Sequence, residues 1–189
     1  MCIRDSILGL CFQSLSKADD VRDFAIEGIS IGDSLLEFAT KENIERSKVK
    51  YYENNKYSVF ELYPDELKIN ISTYDLMQIQ VLTNDKKMRI EAISGIIYHK
   101  NTIKDCYEKL DYIYEEVALV LSSWKDLGKE TYEASSSKIT DHMLESNSLD
   151  EVQIGCYDYF DDAKNIDHFR IAIRLSLIHI SEPTRRYSI

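Results

Sequence analysis

The sequence predicts an α+β fold with two short N-terminal helices, an antiparallel meander sheet of about five strands, and one long helix packed on the sheet. Three observations support this fold class. Residues 102–127 carry apolar side chains at intervals of three and four, the period of a helix with one buried face. Residues 74–82 and 88–98 alternate between apolar and polar side chains, as half-buried strands do. Residues 30–33 have the pattern of a helix start.

The two short helices are predicted from their first residues. Ser30 and Asp33 are three residues apart, as in a capping box, so each side chain can accept a hydrogen bond from the other residue's N–H group. The first helix is therefore expected at residues 31–39. Thr40 is suited to cap a second helix at residues 41–47.

The strands are predicted from runs of β-forming residues between turns. Pro64 ends the first of them, because proline has no N–H group to donate to a sheet. Gly95 interrupts the alternation of the third strand, which indicates a bulge. The five predicted strands are residues 57–62, 74–82, 88–98, 151–160 and 168–174.

The long helix is expected to begin after Asn101 and to end before Gly128. Asparagine can cap the first turn, and glycine is the usual residue just past a helix end. Residues 130–150 are rich in serine and charge. They are predicted to form a loop with one turn of helix near residues 139–144.

Cys106 and Cys156 are predicted to form a disulfide. Cys106 falls in the apolar stripe of the long helix, and Cys156 falls on the apolar side of the fourth strand. Both should therefore face the interface between helix and sheet. Of the four cysteines, these two remain once the two ends considered below are set aside, and a lone pair in an oxidising compartment normally forms a disulfide. Two buried free thiols are the alternative.

Both ends of the chain are expected to be foreign to the protein. DNA encoding residues 1–6 can be the reverse complement of DNA encoding residues 175–180, as expected for a library-preparation transposon end read in both directions. Residues 181–185 resemble the adapter that follows such an end. Residues 1–6 and 175–189 are therefore predicted to be artefactual. A genuine apolar strand at residues 175–180 is the alternative.

Residues 7–18 are expected to be the remainder of a signal peptide, since an apolar run is followed by small residues at the two positions that signal peptidase inspects. Cleavage is predicted between Ala18 and Asp19, which leaves a single domain at residues 19–174. The protein is then periplasmic or secreted. Acylation of Cys11 and a short buried strand or helix in the apolar run are the alternatives.

The charge of the chain limits the classes of partner. The formal net charge is −10 at pH 7, and an acidic surface repels nucleic acid and anionic membrane. No nucleic-acid partner is therefore expected. No apolar run in residues 19–174 approaches the roughly 20 residues of a spanning helix, so no transmembrane span is predicted.

No catalytic, metal or cofactor site is predicted. An acidic turn at residues 158–167 lacks the spacing and the glycine of an EF-hand loop, which favours a solvated turn over a calcium site. Gly28 and Gly32 precede a helix, but the third glycine and the lysine of phosphate-binding motifs are missing. The histidines of the predicted domain are not spaced as zinc ligands: His99, His142 and His168.

Tyrosine is abundant, with 13 residues. Aromatic side chains with a polar tip favour interfaces, and they also favour ordinary sheet surfaces; both interpretations stay open. The group around the first two predicted strands consists of Tyr51, Tyr52, Tyr57, Tyr63 and Tyr74.

The run Glu-Gly-Ile-Ser-Ile-Gly-Asp-Ser-Leu-Leu at residues 27–36 resembles the start of an uncharacterised group of exported bacterial proteins of the marine metagenomic type. Residues 103–107 are similar to the same group, and the resemblance covers most of residues 19–174. It implies export and brings no catalytic residue. More remotely, the start at residues 28–30 and the order of elements are similar to outer-membrane assembly lipoproteins of the BamE type and to the β-lactamase-inhibitor fold.

Two functions are expected from these observations. The first is a non-enzymatic periplasmic or secreted interaction module, which binds a partner such as an envelope protein through a sheet face or near the tyrosines. The second is a small periplasmic hydrolase or ligand-binding protein with a pocket between the long helix and the sheet. In that case His99 or His168 should line the pocket beside a carboxylate with a perturbed pKa.

Overall fold

The computed structural model describes residues 20–50, 56–100, 102–161 and 166–176, together with the backbone of residues 10–12. The described helices are α1 (Leu35–Phe38), α2 (Lys41–Arg46) and α3 (Lys104–Val120). The described strands are β1 (Leu10–Phe12), β2 (Phe24–Ile26), β3 (Ile29–Ser30), β4 (Lys48–Val49), β5 (Tyr57–Leu62), β6 (Leu76–Leu82), β7 (Ile90–Tyr98), β8 (Lys125–Glu133), β9 (Ser137–Glu145), β10 (Glu151–Tyr159) and β11 (His168–Arg174).

The described strands form two antiparallel sheets. The main sheet has eight strands in the order β4-β5-β6-β7-β11-β10-β9-β8. The small sheet has the order β1-β2-β3. The predicted fold class is therefore wrong. The described chain is mostly β, with one long helix and two helices of four and six residues, and it is not an α+β domain with a five-stranded meander.

The hairpin of β8 and β9 is the main element that the sequence did not predict. The long helix ends at Val120, seven residues before its predicted end. Leu121 and Trp124 then pack in the same core from the following turn, so the apolar spacing continues after the helix has ended. Gly128 has φ +88° and lies at a bulge in β8, not beyond a helix end.

Burial explains why these two strands lack an alternating sequence pattern. β8 is at the edge of the sheet and exposes most of its side chains on both faces. β9 is covered, but Thr140 and His142 occupy positions on its helix-facing side. Period-two alternation of apolar residues is the signal by which strands are recognised, and polar residues at inward positions remove it.

The N-terminal helices are shorter than predicted. The N–H of Ser30 donates to the Asp33 carboxylate at 2.9 Å, as in the predicted capping box, whereas the N–H of Asp33 donates to the carbonyl of Ser30 and not to its hydroxyl. Gly32 has φ +91°, a conformation that a right-handed helix cannot contain. The first helix therefore begins only at Leu35. Thr40 caps α2 by accepting from the N–H of Asn43 at 3.2 Å.

Gly95 is not at a bulge, contrary to the sequence prediction. It pairs regularly with Met77 on one side and Ile171 on the other, and the irregularity of the β6–β7 ladder lies between Gln80 and Val81. A Cβ atom at Gly95 would lie 2.5 Å from the ring of Tyr74. Glycine is needed here because an aromatic ring packs directly on the backbone of β7.

One face of the main sheet and all three helices share a single apolar core. Buried side chains of α1, α2 and α3 pack with alternate residues of β5, β6, β7, β11 and β10. Cys106 of α3 and Cys156 of β10 lie in this core as a disulfide, with their Cα atoms 6.0 Å apart and 50 residues apart in sequence. The cysteine pair predicted to join the long helix to the sheet is therefore present.

The predicted processing sites lie largely outside the described residues. These include residues 1–6, the Ala18–Asp19 cleavage site and residues 177–189. Within the predicted signal segment, β1 pairs with β2. Within the predicted foreign C-terminal segment, the N–H of Leu175 donates to the carbonyl of Glu91 at 3.2 Å. None of the described helices combines the length and apolar character that a membrane crossing requires.

Candidate functional site: the open face of the sheet

The second face of the main sheet is not covered by any helix of the described chain. The helices bury their apolar side chains in one cluster, which contains Ile79, Ile93 and Ile154 from the opposite face. We call the second face the open face. The residues of this face, by strand register and side-chain contacts, are Tyr57, Val59, Glu61, Tyr63, Leu76, Gln78, Gln80, Ala92, Ser94, Ile96, Tyr98, Tyr132, Ile139, Asp141, Glu151, Gln153, Gly155, Tyr157, Tyr159, His168, Arg170, Ala172 and Arg174. Its central side chains, Leu76 and Ile96 among them, are buried, whereas Tyr63 and Tyr132 at its margins are exposed.

Small residues lie at the centre of the open face, and longer neighbours extend over them. Ser94 and Ala172 are a cross-strand pair of β7 and β11, and Ala172 is 0% exposed although no helix covers it. Arg170 donates a hydrogen bond to the side-chain oxygen of Gln78 across the width of β7. Gln78 in turn donates to the Glu61 carboxylate at 3.1 Å. Side chains of three strands, β5, β6 and β11, are thus connected laterally.

A second series of hydrogen bonds connects the other half of the open face. Arg174 donates to the side-chain oxygen of Gln153 at 3.0 Å, and the Gln153 amide donates to the carboxylate of Asp141. The hydroxyl of Tyr132 donates to the same carboxylate at 3.3 Å. Asp141 lies against Gly155, where an added Cβ would be 2.8 Å from the Asp141 Cβ. These contacts fix the side-chain conformations on β8 to β11.

Aromatic side chains gather at one end of the open face, around His168. The imidazole stacks on Tyr157 with ring centroids 4.7 Å apart, and the rings of Tyr98 and Tyr159 lie at 6.3 and 5.7 Å. Burial lowers the pKa of His168 to about 4. The ring is therefore neutral at pH 7, and its Nδ1–H donates to the carbonyl of Ile166 at 3.0 Å. We call Tyr63, Tyr98, Tyr157, Tyr159 and His168 the aromatic end.

Two carboxylates, those of Glu61 and Asp75, lie near Tyr98 in the aromatic end. The pKa of Tyr98 is raised to about 12, mainly by burial and then by Tyr63, Glu61 and Asp75, each of which is anionic when ionised. The Asp75 carboxylate accepts from the N–H of Tyr98 at 2.8 Å. It forms no ion pair with any described residue. Tyr63 is the most accessible ring of the group, with 51% of its surface exposed.

Arg170 is the cation nearest to the aromatic end on the open face. Its guanidinium lies 5.6 Å from the centroid of the Tyr157 ring, in cation–π geometry. Its Nε is buried without a hydrogen-bond partner, and it forms no ion pair within the described part of the chain. Among the described residues, Gln78 and Tyr157 are the contacts of the guanidinium.

A second polar cluster lies on the helix side of the sheet, where β8 and β9 meet α3. His142 Nε2 is 2.9 Å from the Asp111 carboxylate, and Lys129 Nζ is 2.5 Å from the same oxygen. Tyr114 stacks on the imidazole at 3.9 Å. The hydrogen bonds from Lys129 and His142 lower the pKa of Asp111. The histidine–aspartate pair joins the hairpin of β8 and β9 to α3. No hydroxyl or thiol of the described residues bonds to His142.

The pocket expected between the long helix and the sheet is filled by the apolar core. His99 is half-buried at the end of β7, where burial lowers its pKa, and His168 stacks among tyrosines. Neither histidine lines the surface depression of about 390 Å³ that is formed by Lys56, Leu82, Asn84, Asp85 and Arg89.

The remaining predicted features have different positions. Of the predicted tyrosine group, Tyr57 and Tyr74 are buried, Tyr63 is exposed, and residues 51–55 are outside the described chain. The acidic turn is described only in part. No group of three potential metal ligands is found among the described residues.

Several residues of the open face were missed by the sequence reasoning, chiefly Arg170, Arg174, Gln153 and Asp141. The available signal was the polar side of the predicted fifth strand, where charged residues alternate with isoleucines. Comparison of the chain with known protein families, with curated proteins and with solved structures found no match.

Proposed function

We propose that this protein is an exported, non-enzymatic interaction module that binds a partner in the cell envelope through the open face. The observation that carries the proposal is the combination of tyrosines and arginines on a sheet face without a helical cover. Tyrosine and arginine are the residue types that most often dominate the energy of protein–protein binding.

The fixed conformations on this face favour binding. Tyr157 is held between His168 and Arg170, and Arg170 is held by Gln78. Side chains that are ordered before a partner arrives lose little conformational entropy on binding, and this cost reaches about 0.5–1.5 kcal/mol for each flexible side chain that becomes fixed. The residue types of this face and their fixed conformations are therefore those expected of a binding surface.

The edge of the main sheet formed by β8 is a poor alternative for binding. β8 exposes Lys125, Lys129 and Glu130, and it contains a bulge. Charged side chains and bulges on edge strands prevent pairing with another chain. Partner binding is therefore assigned to the face and not to strand addition at this edge.

Export is supported by the Cys106–Cys156 pair. Disulfides persist in the periplasm and outside the cell, and they are rare in the reducing cytosol. The resemblance of residues 27–36 to a group of exported bacterial proteins agrees with this location.

Site-specific photo-crosslinking in cells that export the protein tests the proposal. A benzophenone amino acid replaces Tyr63 or Tyr132 on the open face, or Tyr112 or Leu119 on α3; all four side chains are exposed. We expect covalent adducts with one envelope protein from the two open-face positions and none from α3. Adducts only from α3, or a monomeric protein without adducts from any position, would contradict the proposal.

A further inference from the structure

We propose that the partner docks a segment bearing lysine or arginine on the aromatic end of the open face, against Tyr63, Tyr98 and Asp75. This inference rests on the proposed function and adds the chemistry of the partner. We infer a protein segment and not a free cation, because the open face extends over several strands and a single cation would contact only the aromatic end.

The first reason is the character of the aromatic rings. Tyr63 and Tyr98 lie at the same end of β5 and β7, the two strands that flank β6: Tyr63 follows Leu62, which pairs with Met77 of β6, and β7 continues from the partner of Met77, Gly95, to Tyr98. Tyr63 exposes half of its surface. A lysine ammonium or an arginine guanidinium is attracted to the face of a tyrosine ring. The same chain already contains this contact, between Arg170 and Tyr157.

The second reason is charge complementarity. Asp75 is exposed, lies at the rim of the tyrosines and has no cation within ion-pair distance in the described chain. His168, in the middle of the group, is neutral at pH 7 and adds no positive charge. The net charge of −10 also favours the approach of a basic partner at low salt.

Arg170 limits where the cation can bind. Its guanidinium already lies over Tyr157 and would repel a second cation there. The basic side chain is therefore placed on Tyr63 and Tyr98, on the side of His168 away from Arg170 and Tyr157. An acidic partner would bind at Arg170 instead. A basic and an acidic partner are therefore expected to contact different residues of the open face.

The probe is a capped octapeptide of alternating lysine and glycine, titrated into the full chain at low ionic strength. We expect saturable binding, with NMR shifts concentrated on the rings of Tyr63 and Tyr98. Tyr63→Ala should weaken binding about threefold, the size of one exposed cation–π contact, and Asp75→Asn should weaken it two- to threefold.

Two matched variants control for general attraction to an acidic protein. Tyr112 has the same exposure as Tyr63, 51%, but lies on α3. Tyr112→Ala and Glu115→Gln, which removes one exposed charge from the same helix, should leave the affinity unchanged. Equal losses in the control and test variants, or shifts spread over α3, would overturn the inference.

A capped octapeptide of alternating glutamate and glycine separates this inference from the proposed function. Binding of this acidic peptide with shifts at Arg170, and no binding of the lysine peptide, would overturn the basic partner while leaving the open face as the binding surface. Failure of the proposed function is seen separately, as adducts confined to α3 in the photo-crosslinking experiment.

Discussion

Reduction of the Cys106–Cys156 bond should destabilise the protein by about 4 kcal/mol. The bond joins α3 to β10 and closes a loop of 50 residues. On the chain-entropy model the loss of freedom in the unfolded state follows 2.1 + 1.5R ln n cal/mol/K, which gives about 4 kcal/mol at 25 °C for this loop. Typical domains have a free energy of unfolding of only about 5–15 kcal/mol, so a large part of the stability depends on this one bond.

Urea unfolding of the oxidised and the reduced chain measures this difference. The single tryptophan, Trp124, is buried in the core against Phe24 and reports unfolding by fluorescence. We expect a lower midpoint for the reduced chain. The Cys106→Ala/Cys156→Ala variant is the control, since reductant should not change its midpoint. A difference below about 1 kcal/mol would refute the assignment of this bond as the main link between helix and sheet.

Three further predictions concern single positions. Gly95→Ala should destabilise the protein by about 1–3 kcal/mol in urea unfolding, because the added methyl group meets the ring of Tyr74 at 2.5 Å; an unchanged midpoint would contradict this packing. His168 has a folded-state pKa of about 4, below its ordinary value, so stability should be complete above pH 6.5 and should fall as the pH decreases towards 4. Between pH 7 and pH 4.5 the wild type should lose about 2–3 kcal/mol more than His168→Phe, and equal losses would refute the buried neutral imidazole. Asp111→Asn should cost less than about 1 kcal/mol at pH 7, because the ion pair is largely exposed. Since the pKa of Asp111 is lowered, this cost should vanish as the pH falls through that pKa, and a cost that persists at pH 2 would contradict the pairing.

The parts of the fold that follow from local patterns could be predicted from the sequence. The strands predicted at residues 57–62, 74–82 and 168–174 have β-forming residues and clear boundaries, and the structure has strands at Tyr57–Leu62, Leu76–Leu82 and His168–Arg174. The facing positions of Cys106 and Cys156 follow from periodicity alone, because each lies in the apolar stripe of its own element. In helices and strands, the spacing of apolar residues along the sequence shows which side chains face the core.

The β8–β9 hairpin could not be predicted in this way, because the positions of its polar side chains depend on contacts with other elements and not on the local sequence pattern. Thr140 and His142 point towards the helix, where Asp111 and Thr131 provide hydrogen bonds that the local sequence does not show. Gly128 has the same positive φ at a bulge as it would have beyond a helix end. The sequence therefore could not show whether Gly128 lies at a strand bulge or beyond a helix end.

The open face depends on contacts between residues far apart in sequence. Arg170 and Gln78 are 92 residues apart, and they meet only because β11 is inserted next to β7 in the main sheet. The sequence indicated a polar strand side, but it did not indicate which strands would be neighbours. The aromatic end has the same origin, since it combines Tyr98 of β7 with Tyr157 of β10 around His168.

Hydroxyl-radical footprinting of the tyrosines is the most direct test of the open face as the binding surface. The native protein is compared in two states, purified alone and bound to the partner captured by photo-crosslinking, and oxidation of each ring is measured by mass spectrometry. Tyr63 and Tyr132 should be protected in the complex, whereas Tyr112 on α3 should be oxidised equally in both states. Protection of Tyr112 with unchanged oxidation of Tyr63 and Tyr132 would contradict this account.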